Sequence, residues 1–443
     1  MLFTAGGGYN LIRTGGTYVE ADSDEVPTDP EDTGRNGFLW KKQRGPPWLR
    51  PGGNIENHDG MNGVMTTRGW SMFEAIAMCE AMQITPVITL KSTETLEDLG
   101  DLVEYLYGNH TSGWGKMRAE DGHPEPYNIS WFEIGNEIDT QDFAGRAMAM
   151  EARAQSIGQG GILRYACPAN CGDDAVINAS FAGNPALGER VYVDVHDGGR
   201  GSLEAARGHV SNFVAKGSKA RVVVWETNTA RHDFSRVVAE ASDLNDLQRE
   251  GWLEDARVDS RVESFCMEKS AHDPCLDAEH GFCGDQGAVF FTPNATWAQP
   301  PWYVHKMILD AAPWADELVA VHVDGMINTT HPGCANCWAF PCCGLNVLAA
   351  KASEGDTLVL RIVNAGTVAI NVTLAFPAGH RVPASFVRTS FASTTGTAEG
   401  PDTDNPIWEP ERHAPIVSAP VPFAGSILTV PPVSFEIYVF TMG

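Results

Sequence analysis

The sequence predicts an α/β fold: a (β/α)8 barrel, incomplete at its N-terminal end, followed by an all-β sandwich. Three observations carry that prediction. Over residues 1–315, short apolar runs alternate with amphipathic segments of helical spacing. From about residue 316 the helical spacing stops and short alternating segments separated by turn residues take over. Two of the apolar runs, Trp131-Phe132-Glu133-Ile134-Gly135-Asn136-Glu137 and Arg221-Val222-Val223-Val224-Trp225-Glu226, each end in a glutamate. Buried strands alternating with helices mark parallel β/α units, and closely spaced strands without helices mark a sandwich. The expected domains are therefore 1–315 and 316–443.

Each element follows from its pattern. Leu11-Ile12-Arg13 is a short strand running into Thr14-Gly15-Gly16, and a polar loop extends to about residue 68. Residues 70–83 form a helix, with Met72, Ile76 and Cys79 on one face. Pro86–Leu90 is a buried strand, and Leu99, Leu102, Val103 and Leu106 repeat at i, i+3, i+4, i+7. The strand ending at Glu137 comes next, then a helix over 141–157 and a strand over Ile162–Cys167. Val191–His196 and Arg221–Glu226 are strands, with helices over 202–216 and 234–250. Val262–Met267 continues the alternation, and Trp302–Leu309 is a last helix. About seven strands are countable, where a closed barrel takes eight. The deficit lies at the N-terminus, since Leu11 reads as a second strand, so an N-terminal part is expected to be missing. The sandwich strands are Leu318–Val323, Thr357–Val363, Ala369–Leu374, Ser426–Val430 and Phe435–Phe440, with a polar, Pro-rich loop over Thr394–Pro415.

Composition narrows the class. With 43% hydrophobic and 20% charged residues the chain is an ordinary globular one. It has no apolar run near the roughly 20 residues of a membrane helix, so no membrane partner is expected. A net charge of -26 repels phosphate backbones and argues against nucleic acid. It says nothing against a neutral sugar. Of the 10 cysteines, Cys79 stands alone and the others cluster as Cys167 and Cys171; Cys266, Cys275 and Cys283; and Cys334, Cys337, Cys342 and Cys343. Close pairs suit either a thiolate zinc site or disulfides. Adjacent Cys342 and Cys343 make an awkward second pair for a tetrahedral metal, so disulfides are preferred and no metal is expected. Six Asn-x-Ser/Thr sequons (Asn109, Asn128, Asn178, Asn294, Asn328 and Asn371) favour a secreted protein. Asn128 is expected to be inaccessible, just before a strand. Residues 1–10 carry no basic start and no long apolar segment, so a signal peptide is not visible.

The chemistry rests on the two glutamates. Side chains at the C-terminal ends of barrel strands face the active site. Glu137 and Glu226 would lie on the fourth and seventh strands, across the barrel mouth. A carboxylate pair is the usual equipment of glycoside hydrolysis, and a separation near 5 Å implies retention of configuration. Gly135 relieves crowding beside a ligand, and the Asn136 amide can bond a sugar hydroxyl.

At these residues the chain resembles glycoside hydrolase family 51, the α-L-arabinofuranosidases, and more closely their plant-type branch. Leu11 to Glu20 resembles the second-strand motif. Phe38-Leu39-Trp40-Lys41, Gly45-Pro46 and Arg50-Pro51-Gly52 resemble the loop after it. Trp114–Arg118 and Gly122–Asn128 resemble the approach to the acid/base strand, Ile134–Glu137 the acid/base motif, and Asn405–Pro415 a loop of the C-terminal domain. The resemblance implies Glu137 as acid/base and Glu226 as nucleophile. It implies Asn136 bonding the hydroxyl next to the anomeric carbon, and Arg13 orienting the nucleophile. His196 is implied on the substrate side, and Trp40 lining the sugar pocket. No cofactor is implied, and the implied substrate is an arabinose-containing polysaccharide or oligosaccharide. Departures fall in the sugar-contacting shell: Thr14 stands where proline is usual, Asp197-Gly198 follow His196 where an aromatic is expected two positions on, and Trp225 precedes Glu226 where a smaller residue is common. Two alternatives stay open: the same mechanism on another glycoside such as a xyloside or glucan, and an inactive carbohydrate-binding relative.

Overall fold

A computed structural model describes residues 11–20, 38–50, 70–138, 140, 142–169, 174–196, 200–225, 232–253, 258–259, 288–292, 295–312, 315, 317–324, 345–352, 356–376, 381–398, 402–423 and 427–443. Contacts divide the chain into two units. One holds Asn10–His196 and Ala206–Trp225; the other holds Met1–Tyr9, Asp197–Ala205 and Glu226–Gly443.

The first unit is built on parallel strands that neighbour one another in chain order: β1 (Leu11–Thr14), β2 (Thr85–Leu90), β3 (Trp131–Ile134), β4 (Arg164–Cys167), β5 (Val191–Val195) and β6 (Arg221–Val224). Helices separate them, including Met72–Met82, Leu96–Tyr107, Phe143–Ser156 and Arg200–Ala215. This is the βαβ alternation expected. The strand expected over Val262–Met267 lies outside the described residues. Helix starts follow local chemistry. Ser71 and Glu74 form a reciprocal capping box, the Ser71 hydroxyl accepting from the Phe73 N–H while Glu74 accepts from the Ser71 N–H. The Thr95 hydroxyl accepts the Asp98 N–H at 3.0 Å, and Asp142 caps the helix that follows β3. A helix over Gly113–Glu120 was not anticipated, because its glycines and short polar face carry no amphipathic repeat.

Side chains alternate across a strand with period two. Leu11, Val87, Trp131, Ala166, Tyr192, Val223 and Trp225 form one buried apolar cluster on one face of the sheet. Two residues further along the same strands, on the same face, stand Arg13, Thr89, Glu133 and Asp194. An apolar layer therefore gives way to a polar one towards the C-terminal strand ends.

The second unit contains a helix over Phe234–Leu253, a hairpin of Val289–Thr292 and Ala295–Ala298, and a helix over Pro300–Ala311. An antiparallel sheet follows, ordered Glu317–Val319, Leu345–Lys351, Thr357–Asn364, Ser434–Met442, Pro383–Ala392 and Ile416–Val417. Ile370–Thr373 and Ile427–Val430 pair as a separate ribbon. Leu360, Ile362, Leu428, Val430, Tyr438 and Phe440 share one core, so strands of both sheets pack as a sandwich. The Pro-rich segment is pinned by the fully buried Asn405. Its side chain donates to the carbonyls of Ala298 and His413 and accepts the His413 N–H, while its backbone bonds Gln299.

Candidate active site

The polar layer of the first unit is the floor of the site. Arg13 makes a two-pronged ion pair with Glu133, Nε to Oε2 at 2.8 Å and Nη2 to Oε1 at 3.0 Å. The Thr89 hydroxyl donates to Glu133 Oε2 at 2.6 Å. Glu133 is fully buried. Burial pushes its carboxyl up to about 7; the Arg13 charge opposes this and Asp194 adds to it. Arg13 Nη2 also donates to Asn136 Oδ1. A guanidinium has no acceptor, so this contact fixes the amide with its oxygen towards Arg13 and its N–H as the group it can offer a hydroxyl.

Above the floor the chain turns sharply. Gly135 has φ 97°, and a Cβ there would meet the Thr140 hydroxyl at 2.4 Å, so only glycine fits. That hydroxyl donates to the Ile134 carbonyl at 2.8 Å and fastens the turn. Glu137 itself lies in the left-handed region at φ 51°, a strained conformation for a side-chain-bearing residue. Its carboxylate is 41% exposed and stands 3.0 Å from His196 Nδ1. His196 is nearly buried, and its Nε2 lies 2.6 Å from Oδ2 of the buried Asp194. Asp194 Oδ1 accepts the Trp225 backbone N–H at 3.0 Å. The result is a chain of polar groups from β6 through β5 to the end of β3. It terminates in a carboxylate that solvent can reach.

Of the residues singled out in the sequence, Arg13, Asn136, Glu137 and His196 come together here. Glu226 lies outside the described residues, and so does any contact of Arg13 with it; Arg13's described partners are Glu133 and Asn136. Trp40 has a different place. It is 0% exposed, donates its N–H to Glu94 at 2.6 Å and its indole N–H to the Asp98 carbonyl at 2.8 Å. It packs against Tyr105 and Trp114. A sugar platform needs an open indole face, so Trp40 is corrected to a packing residue. Glu133, Thr89 and Asp194 were missed. For Glu133 and Asp194 the signal was a charged residue inside an apolar strand run: a buried charge must be paired, and a partner such as Thr89 is then part of a network.

Glu133, Asp194 and His196 also bring three potential metal donors within 4.8 Å. Each is already engaged, Glu133 by Arg13 and Thr89, Asp194 by Trp225 and His196, and His196 by Asp194 and Glu137. With a guanidinium bound to the same carboxylate, the donor set suits a hydrogen-bonded network rather than a cation. The cysteine cluster 334–343 lies outside the described residues. Cys167 is disulfide-bonded, and Cys79 is a buried cysteine outside any disulfide.

Residues 10–157 match the family described as the alpha-L-arabinofuranosidase 1 domain. A probable alpha-L-arabinofuranosidase A of Aspergillus terreus is 34% identical over 117 residues, covering 23% of this chain and 18% of that protein. Alpha-L-arabinofuranosidase 1 of Arabidopsis thaliana is 29% identical over 117 residues, covering 23% and 16%. An extracellular exo-alpha-L-arabinofuranosidase of Streptomyces chartreusis is 47% identical over 47 residues, 11% of this chain and 6% of that one. The matched stretch thus spans less than a fifth of these three relatives. Among solved structures, alpha-L-arabinofuranosidase from Thermotoga maritima in complex with arabinose aligns with TM-score 0.68 at 15% identity, over 99% of this chain and 88% of that one. An arabinose-bound MgGH51 α-L-arabinofuranosidase aligns with TM-score 0.66 at 15% identity, over 100% and 66%. These likenesses establish the fold: a barrel-type parallel sheet followed by a β-sandwich.

Proposed function

We propose that this chain, whose residues 10–157 match the alpha-L-arabinofuranosidase 1 domain, is a retaining exo-glycosidase of glycoside hydrolase family 51. It removes non-reducing terminal α-L-arabinofuranosyl residues from polysaccharides or oligosaccharides. Its catalytic part is residues 1–315 and its stabilising sandwich 316–443. The observation that supports this best is the solvent-reachable Glu137, held at a strand end by His196 over a buried charged floor. In the reaction, the Glu226 carboxylate attacks the anomeric carbon while Glu137 gives its proton to the departing glycosidic oxygen. A covalent arabinosyl-enzyme results. Glu137, now a carboxylate, takes a proton from water, whose oxygen attacks the same carbon and releases arabinose and Glu226. Asn136, its amide oriented by Arg13, offers an N–H to the neighbouring hydroxyl.

A secreted location is part of the same proposal. The disulfide at Cys167 and the exposed sequon asparagines Asn109, Asn128 and Asn371 support an oxidising compartment. Asn128 is thus exposed where it was expected to be inaccessible, and Asn178 is buried. No helix among the described residues is long and apolar enough to cross a membrane.

Hydrolysis of aryl α-L-arabinofuranosides, compared with aryl xylosides and glucosides, tests the reading. Glu226→Gln is expected to abolish turnover. Glu137→Gln is expected to lower kcat by about 10²–10⁴-fold on poor leaving groups, the usual contribution of a general acid. Unchanged turnover in Glu226→Gln would remove the nucleophile as drawn, and a preference for another glycoside would remove the arabinofuranoside.

A further inference from the structure

We propose that Asp194 is the positioning residue of this site: it decides which ring nitrogen of His196 carries the proton, and through that sets the acid strength of Glu137. The proposal rests on the reading of Glu137 as acid/base.

The geometry runs from the buried end outward. Asp194 is 1% exposed, and its Oδ1 is committed to the Trp225 N–H. Its Oδ2 lies 2.6 Å from His196 Nε2. A carboxylate has no proton to give, so Nε2 must be the donor. In the neutral ring the other nitrogen, Nδ1, is then a lone pair. Nδ1 stands 3.0 Å from Glu137 Oε1. With the ring neutral, a proton on Glu137 completes that hydrogen bond, so the contact favours the acid form before the first chemical step. When the Glu137 O–H bond breaks and the leaving oxygen takes the proton, a carboxylate is left facing a lone pair. The pair is then poised to take a proton back. The second step supplies it: an O–H bond of water breaks, its oxygen bonds the sugar carbon, and its proton returns to the His196–Glu137 pair. The pair thus holds one proton, then none, then one, and the cycle balances. Among the described residues, the charged groups around His196 are Asp194 on its own strand, Glu133 and Glu137 from β3 and the turn after it, and Arg13 from β1.

Asp194→Asn tests this because it keeps the shape. The Trp225 N–H still needs an acceptor, so the amide turns its oxygen there and its NH2 to His196 Nε2. The ring is forced into the opposite tautomer, and Nδ1–H now stabilises the Glu137 carboxylate. Loss of the negative charge acts in the same direction. The alkaline limb of the kcat/KM pH profile is expected to move down by about one unit. The loss of kcat is expected to be roughly tenfold greater on a poor phenolic leaving group than on a good one, which needs little acid assistance. A purely structural role would lower both substrates alike and leave the limb in place, and that result would overturn the proposal. Nitrogen-15 NMR of the unliganded wild type, with His196 assigned by His196→Gln, reads the tautomer without turnover. Neutral His196 protonated on Nε2 supports the proposal. Protonation on Nδ1 overturns it, even if Asp194→Asn does not fold. Absence of arabinofuranoside turnover in a wild type with the Nε2 tautomer would overturn the functional reading while leaving the positioning role supported.

Discussion

Glu133 carries the pH consequence of the site at the scale of a residue. Its ordinary value is 4.5 and its folded value about 7, raised by burial. Between those values the folded carboxyl keeps a proton that the unfolded one has lost. Its contribution to stability is therefore fully present below about 4.5, falls as pH rises through the window, and is level above about 7. Glu133→Gln is expected to flatten that decline, measured as denaturant midpoints between pH 4 and 8. An equal slope in both proteins would show that Glu133 titrates normally. The residue scale is also where sequence reading was least complete. Glu137 was visible as a carboxylate ending a strand and Asn136 as the amide after Gly135, whereas Arg13 and His196 were implied by the family resemblance. Glu133 and Asp194 were not, because each sits in mid-strand and looks like an interruption of an apolar run rather than part of a site. Trp40 was misjudged for a general reason: an indole in a loop looks the same in sequence whether its face is open or packed.

Among the elements, apolar runs located β2 to β6 and the helices Leu96–Tyr107, Phe143–Ser156 and Arg200–Ala215, since burial of a parallel strand and the 3.6-residue repeat both leave strong patterns, whereas the helices Gly113–Glu120 and Asp174–Phe181 escaped. Ends differed by a few residues: β6 stops at Val224, and β4 starts at Arg164. Four described sandwich strands escaped, two of them the two-residue Ile416–Val417 and Val421–Pro422. Leu345–Lys351 carries no clean alternation, with Leu348, Ala349 and Ala350 buried in succession. Pro383–Ala392 starts with proline, carries Ser and Thr, and is mostly half-buried. Conversely, Asn405 lies in a segment read only as a polar loop, yet its amide ties that loop to the 295–298 strand and to His413. Asn405→Ala leaves those buried partners unmet, and each unmet group costs about 1–3 kcal/mol. Destabilisation of about 3 kcal/mol or more is expected in thermal or denaturant unfolding. A change below about 0.5 kcal/mol would mean that water replaces the amide.

Across the whole molecule, a net charge of -26 makes self-repulsion a general term. Screening weakens it over a Debye length of about 8 Å at physiological salt. The melting temperature is expected to rise between roughly 10 and 150 mM salt; a flat response would show that local ion pairs such as Arg44–Asp121 offset the long-range field. The alternating layers of the parallel sheet have a further consequence, which resembles a reading frame. Trp131 and Glu133 on β3, and Tyr192 and Asp194 on β5, share a parity that puts them on one face, and the two-residue step along each strand sorts the apolar layer from the polar floor. Exchanging one residue for another disturbs one site in one layer. Inserting or deleting a single residue within β3 would instead shift the frame downstream, turning Glu133 and Glu137 out of phase together. Two such changes that restore the count before Gly135 would bring the terminal glutamate back into phase. The strand interiors can therefore drift in letter far more readily than in length.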